Sequence, residues 1–147
     1  MCNSSCTEEG SQHRMIVWTN GCYDILHKGH IALFKYANSL GSQLIVGIDS
    51  DRRVKQAKGN SRPINTQEER KLVLEAVRWI DHVCIFDTDE QLKECLTQNN
   101  VDIMVIGSDW KEKQVIGEKC VKKIYFFDRI EKYSTTNIIN KQKKERK

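Results

Sequence analysis

The stretch TNGCYDILHKGH, Thr19 to His30, places two of the chain's four histidines three residues apart. His27 and His30 flank Gly29 at the point where a short apolar run ends and a helical pattern begins. Backbone N–H groups at a helix start favour an anion, and two imidazoles beside them add donors for phosphate oxygens. Gly29 removes a side chain that would otherwise block close approach. Such a set suits stabilisation of charge at a phosphorus centre, where positioning and electrostatics do most of the catalysis. Neither a GxGxxG dinucleotide loop nor a GxxxxGK[ST] loop is present. Either histidine alone would read as an ordinary surface residue at a helix start. The pair, preceded by Asn20, Gly21 and Asp24, reads as a site.

The elements that must position this pair follow from periodicity. MIVWT (15–19) is a short apolar, β-branched run, and LIVGI (44–48), HVCIF (82–86), IMVI (103–106) and KIYFF (123–127) are further strands. Leu33, Phe34, Ala37 and Leu40 recur at helical spacing over 30–40, with Gly41 at the expected C-cap. Asp49 to Asn65 reads as a polar loop holding the only proline, Pro63. Thr66 and Glu69 form a capping box, and the helix it opens is expected to bury Leu72, Val73, Ala76 and Val77. A helix with Leu92, Cys95 and Leu96 follows, and Ser134 is expected to cap a last helix. Strands alternating with helices predict an α/β fold: a single Rossmann-like, doubly wound, parallel five-stranded sheet with helices on both faces. Ligands bind beyond the carboxyl ends of such strands, at the switch point. The polar segments after the first, second, fourth and fifth strands therefore converge on one rim.

Composition narrows the function classes. The 147 residues, 39% hydrophobic, are enough for one ordinary domain with a real core. Residues 1–14 read as a disordered arm, 15–140 as the domain and 141–147 as a basic tail. That tail carries five Lys/Arg against one acid, which accounts for the whole formal charge of +4 and leaves residues 1–140 neutral. Nucleic-acid binding is not expected of a neutral body. No apolar run approaches a membrane span and no secretory signal is visible, so a cytoplasmic location is expected. Six scattered cysteines without a CxxC pair read as free thiols, with Cys84 and Cys95 at apolar positions.

His27-Lys28-Gly29-His30, preceded by NGCYDILH, resembles the H-x-G-H signature of the cytidylyltransferase-like nucleotidyltransferases. EERKLVLEAVRWID (68–81), GSDW (107–110) and YSTTNII (133–139) resemble further motifs of that family, in its order. The resemblance implies a nucleotidyltransferase: an NTP and a small phosphorylated acceptor give an NDP-linked product and pyrophosphate, with Mg²⁺ as the divalent metal. It implies that His27 and His30 stabilise the transition state, with Lys55 and Lys58 near the phosphates and Arg70, the match to the family's helix arginine, in the catalytic set with Lys55. It also places Asn20, Gly21, Cys22, Asp24, Gly29, Gly107, Asp109, Trp110, Arg129, Ser134, Thr135 and Thr136 around the nucleotide. Asp24 would orient one histidine or help hold the metal. A homodimer is a further implication by analogy.

Substrate choice divides the motifs. TNGCYDILHKGH, KGNSRPIN (58–65) and Val115-Ile116-Gly117 resemble heptose 1-phosphate adenylyltransferases, which favours ATP and a sugar 1-phosphate. Trp110, and Arg129 five residues before Ser134, fit glycerol-3-phosphate cytidylyltransferases, and Ile106 departs from the lysine that the heptose enzymes typically carry there. Cys22 departs from the threonine usual in the glycerol phosphate enzymes. Pocket-lining residues bear on substrate choice more directly than a loop does, so the reading leans narrowly to CTP and a polyol phosphate. ATP with a heptose 1-phosphate is the alternative, and a non-catalytic nucleotide-binding module a remote one.

Overall fold

The computed structural model describes residues 15–108 and 114–128. Five strands, β1 (Ile16–Gly21), β2 (Gln43–Asp49), β3 (His82–Phe86), β4 (Ile103–Gly107) and β5 (Lys123–Phe127), form one sheet in the order β3-β2-β1-β4-β5. All pairings are parallel. Between them lie α1 (Lys28–Ser39), α2 (Asp51–Lys58), α3 (Gln67–Glu75) and α4 (Asp89–Gln98), and a 3₁₀ turn at Glu118–Cys120 precedes β5. This is the Rossmann-like α/β architecture expected from the alternation of elements.

Strand alternation sorts the apolar residues into two cores, one on each face. Val17, Leu44, Val46, Ile48, Ile103 and Val105 point to one side, against Phe34 and Ala37 of α1 and Leu74 of α3. Trp18, Ile45, Met104 and Ile106 point to the other, against Leu92 and Leu96 of α4. Cys84 and Cys95 pack on this second core. Burial, with Cys84 close by, pushes the Cys95 thiol up to about 11. It is a small hydrophobe there, not a nucleophile. Among the described residues no helix is long and apolar enough to cross a membrane.

The chain crosses from β3 at one edge to β4 beside β1, so the switch point lies between β1 and β4. β1 pairs with β2 over six residues, from Ile16↔Gln43 to Gly21↔Ile48. With β4 it pairs at only two, Val17↔Ile103 and Trp18↔Met104. Beyond Trp18 the β1–β4 pairing does not continue, and the carboxyl ends at this switch point are where an open α/β sheet forms its ligand crevice. At the opposite end Asp102 holds them together. Its backbone N–H donates to the Ile16 carbonyl, its carboxylate accepts from the Ile16 N–H, and its carbonyl accepts from Lys122 and Lys123.

Three local expectations are corrected. The polar segment 49–65 contains a helix, α2, whose N-cap Ser50 accepts from the Arg53 N–H. Only Val54 of α2 is buried, so the apolar stripe that would have announced it is missing. In α3 the buried residues are Arg70 and Leu74, while Leu72 and Val73 are 69% and 52% exposed and Ala76 is exposed. Gly41 does follow the end of α1, but its backbone is not left-handed. Glycine is required there because a Cβ would run into the Met15 carbonyl. The expected arm, tail and final helix capped by Ser134 lie outside the described residues.

Gly47, opposite Asn20 on β2, lets the Trp18 indole lie flat on the sheet, and a Cβ would overlap that ring. Gly47→Ala is expected to lower stability by about 1–3 kcal/mol through overpacking. Denaturant unfolding of the two proteins checks this.

Candidate active site

The segment from β1 to α1 carries the histidines. Tyr23 has φ 49°, the left-handed region that a non-glycine residue rarely occupies. Its buried ring packs edge-on against His30, at 5.2 Å between centroids, and against Phe34. Tight packing thus holds an unfavourable backbone conformation at the turn that presents the site.

His27 is the N-cap of α1, in extended conformation, and its Nδ1 accepts from the Gly29 N–H at 3.1 Å. His30 stands at the third helical position, and its Nδ1 accepts from the His27 N–H at 3.3 Å. Two imidazoles therefore form the reciprocal capping box usually made by Ser/Thr and Glu. Their rings stack 3.9 Å apart at 28°. A ring nitrogen that accepts carries no proton, so each neutral imidazole holds its hydrogen on Nε2. The caps fix both the orientation and the tautomer, and each ring presents one N–H donor beside the positive end of α1.

Asp24 does not orient a histidine, contrary to expectation. Its side chain is fully buried, and its carboxylate accepts from Arg62 Nε (3.1 Å), the Ile64 N–H (2.7 Å) and the Asn65 N–H (2.8 Å). Its carbonyl accepts from Asn65 Nδ2. Asp24 therefore pins residues 62–65, which include the cis Arg62–Pro63 peptide, to the histidine loop.

Arg70 is buried in the same junction. Its Nε donates to the Asn65 carbonyl, Nη1 to the carbonyls of Cys22 and Asp49, and Nη2 to Asp51 Oδ1, at 2.8 to 3.1 Å. One guanidinium thereby joins the end of β1, the end of β2, the start of α2 and the approach to α3. These bonds make it a positioning group.

Asn20 and Gly21 lie on β1 at the crevice, and the Asn20 Oδ1 accepts from the Trp18 indole N–H. Gly107 ends β4 across the gap. Gly29 is in the first turn of α1. Lys55 and Lys58 are exposed on the last turn of α2, where they also complement its dipole. Cys22 sits among charges: burial pushes its thiol up, Lys58, Arg70 and Arg62 pull it down, and Asp24 adds to the rise. The net rise keeps it a thiol near neutral pH and does not favour a thiolate nucleophile. Asp109, Trp110, Arg129, Ser134, Thr135 and Thr136 lie outside the described residues. Arg62 lies within KGNSRPIN but is not singled out by the sequence; its role becomes visible only through the Asp24 carboxylate.

Arg70→Met would strand three carbonyl groups and Asp51, with an expected loss of roughly 3 kcal/mol or more. Arg70→Lys should recover only part, since an ammonium has three hydrogens against four bonds. Urea unfolding of both variants checks this.

The cytidylyltransferase-like family model matches residues 18–142. The bifunctional protein HldE of Campylobacter fetus subsp. fetus (strain 82-40) is 45% identical over 130 residues, 88% of this chain and 28% of that protein. HldE of Helicobacter pylori (strain HPAG1) is 40% identical over 129 residues, again 88% and 28%. The chain thus spans little more than a quarter of the length of the curated relatives it matches. Among solved structures, the lipopolysaccharide core biosynthesis protein from Thermoplasma volcanium GSS1 superposes with a TM-score of 0.64 at 24% identity. That match covers 79% of this chain and 98% of the other, and it speaks for the fold alone. With paired histidines capping the first helix at the switch point of a parallel sheet, and a family model matched from Trp18 almost to the end, this chain belongs to the cytidylyltransferase-like nucleotidyltransferases.

Proposed function

We propose that the chain transfers the adenylyl group of ATP to a sugar 1-phosphate of the heptose class, releasing pyrophosphate. The observation that carries the reaction type is the histidine pair, two oriented Nε2–H donors at a helix N-terminus beside the β1–β4 crevice. An acceptor phosphate oxygen attacks the α-phosphorus in line. The new P–O bond forms as the bond to the β-phosphate bridging oxygen breaks, and pyrophosphate leaves with that electron pair. Negative charge moves onto the non-bridging and leaving oxygens during this exchange. The imidazole N–H groups and the end of α1 stabilise it there without reorganising. No covalent enzyme intermediate is required, in keeping with Cys22 held as a thiol.

The relatives favour ATP and a heptose 1-phosphate over CTP and a polyol phosphate. The preference for CTP rests on Trp110 and Arg129, which lie outside the described residues, and on Ile106, a buried residue of β4. HldE points instead to a heptose 1-phosphate adenylyltransferase, the alternative carried by the residues around KGNSRPIN. Mg²⁺ is part of the proposal, but the described residues do not build a cage for it. Among them no three His, Cys, Asp or Glu side chains converge, and Asp24 already serves three donors. The ion would enter on the phosphates of the nucleotide, as Mg²⁺ commonly does. A cytoplasmic site of action suits such substrates.

Pyrophosphate release with Mg²⁺, crossing ATP and CTP against a heptose 1-phosphate and glycerol 3-phosphate, tests the reading. Turnover is expected with ATP and the heptose 1-phosphate. A strong signal with CTP and glycerol 3-phosphate would replace it, and bound nucleotide with no turnover in any pairing would favour a binding module. In the active pairing, His30→Ala is expected to lower kcat about 100-fold or more, while ATP affinity changes little. Equal losses in both would assign the histidine to ground-state binding.

A further inference from the structure

Arg62 is held as a structural ion pair on one edge of its guanidinium only. Its side chain is 11% exposed and its partner Asp24 is 0% exposed. The Nε edge donates to Asp24 Oδ2 at 3.1 Å. The same carboxylate accepts the Ile64 and Asn65 N–H groups, so Arg62 cannot swing away without disturbing the whole turn. From the backbone side, the Arg62 N–H donates to the carbonyl of Gly59, which closes α2 with φ 98°. The side chain is thereby fixed at both ends.

Its Nη2 is buried and has no hydrogen-bond partner among the described residues. A shielded charged donor without a partner is costly, and a native protein that retains one calls for a reason, of which binding a ligand is one. The surroundings indicate what that is. Arg62 rests on the carboxylate three residues before His27, on the loop that presents the catalytic pair. Cys22, which opens this loop, feels Lys58, Arg70 and Arg62 together, opposed by Asp24. Asp51 bonds the Arg70 guanidinium and Asp24 the Arg62 one, so each fixed carboxylate is already matched to a cation. With Lys58, Arg70 and Arg62 gathered around Cys22, an acceptor that carries negative charge suits Nη2 better than a neutral one. A planar guanidinium with one edge anchored and the other free suits a phosphoryl oxygen better than a flexible ammonium would.

We propose that Arg62 is a substrate-binding residue whose Nη2 edge, aimed by the buried Asp24 carboxylate, takes a phosphoryl oxygen of one of the two substrates. The inference rests on the nucleotidyl-transfer reading and adds a named contact to it. Two sources share this chemistry, the nucleotide's phosphates and the acceptor's phosphate.

The test compares wild type, Arg62→Lys and Arg62→Ala. Titration calorimetry measures affinity for ATP and, separately, for a sugar 1-phosphate, with thermal midpoints recorded beside pyrophosphate release. Lysine can keep the pair with Asp24 but cannot supply a second, oriented nitrogen. Arg62→Lys is expected to melt close to wild type and lose about 10- to 100-fold in affinity for one substrate only, the effect of one hydrogen bond to a charged group. Loss for ATP alone assigns Nη2 to the nucleotide, and loss for the sugar phosphate alone assigns it to the acceptor. Affinities within about twofold of wild type in both variants would overturn the proposal. So would equal losses for both substrates with lowered thermal midpoints, which mark a structural role, and so would a wild type that binds neither. If wild type binds both substrates yet releases no pyrophosphate, the proposed reaction fails, while the affinity comparison still decides the role of Arg62.

Discussion

Arg70 is the interaction on which the site depends. A guanidinium excluded from water is unfavourable unless its donors are met, and here four bonds reach three separate stretches of chain, at Cys22, Asp49–Asp51 and Asn65. Three of the acceptors are main-chain carbonyls. They would otherwise be buried orphans where strands end and loops turn into the interior. The charge and the carbonyls satisfy one another, and the carboxyl-terminal rim acquires a fixed geometry. Asp24 performs the complementary task with the opposite sign, gathering N–H groups from residues 62–65 as Arg70 gathers carbonyls. The two ions face different loops yet meet at Asn65, whose carbonyl bonds Arg70 while its own N–H and side chain bond Asp24.

On this base the histidines acquire their geometry from the helix they begin. Most N-caps are small hydroxyl or carboxamide side chains that do nothing else. Here the capping atoms are the Nδ1 atoms of the two rings implicated in the chemistry. Helix formation and ring alignment are then one event, and a disturbance of the first turn of α1 moves both donors together. Tyr23 supports the pair from below through an edge contact with His30.

Much of this was legible in the sequence. The five strands read correctly because parallel strands buried on both faces are continuous apolar runs, and the alternation of elements gave the sheet class. The histidine pair stood out because residue type, spacing and position after a strand agreed. The misreadings share a cause, which is that polarity was taken as exposure. Arg70 occupies a core position of α3, and its charge concealed the buried face it shares with Leu74. Leu72 and Val73 then seemed to define that face. α2 reads as a loop because one buried valine cannot make an apolar stripe. Asp24 and Arg62 are joined across 38 positions, and no local pattern reports a contact of that separation.

The parting of β1 from β4 bears on why nucleotide preference was so hard to read. Past Trp18 the main-chain groups of β1 on that side have no ladder partner on β4. Peptide N–H and C=O groups on that side are donors and acceptors whose placement is set by backbone direction and by where the pairing stops. A side-chain motif does not report a feature of that kind.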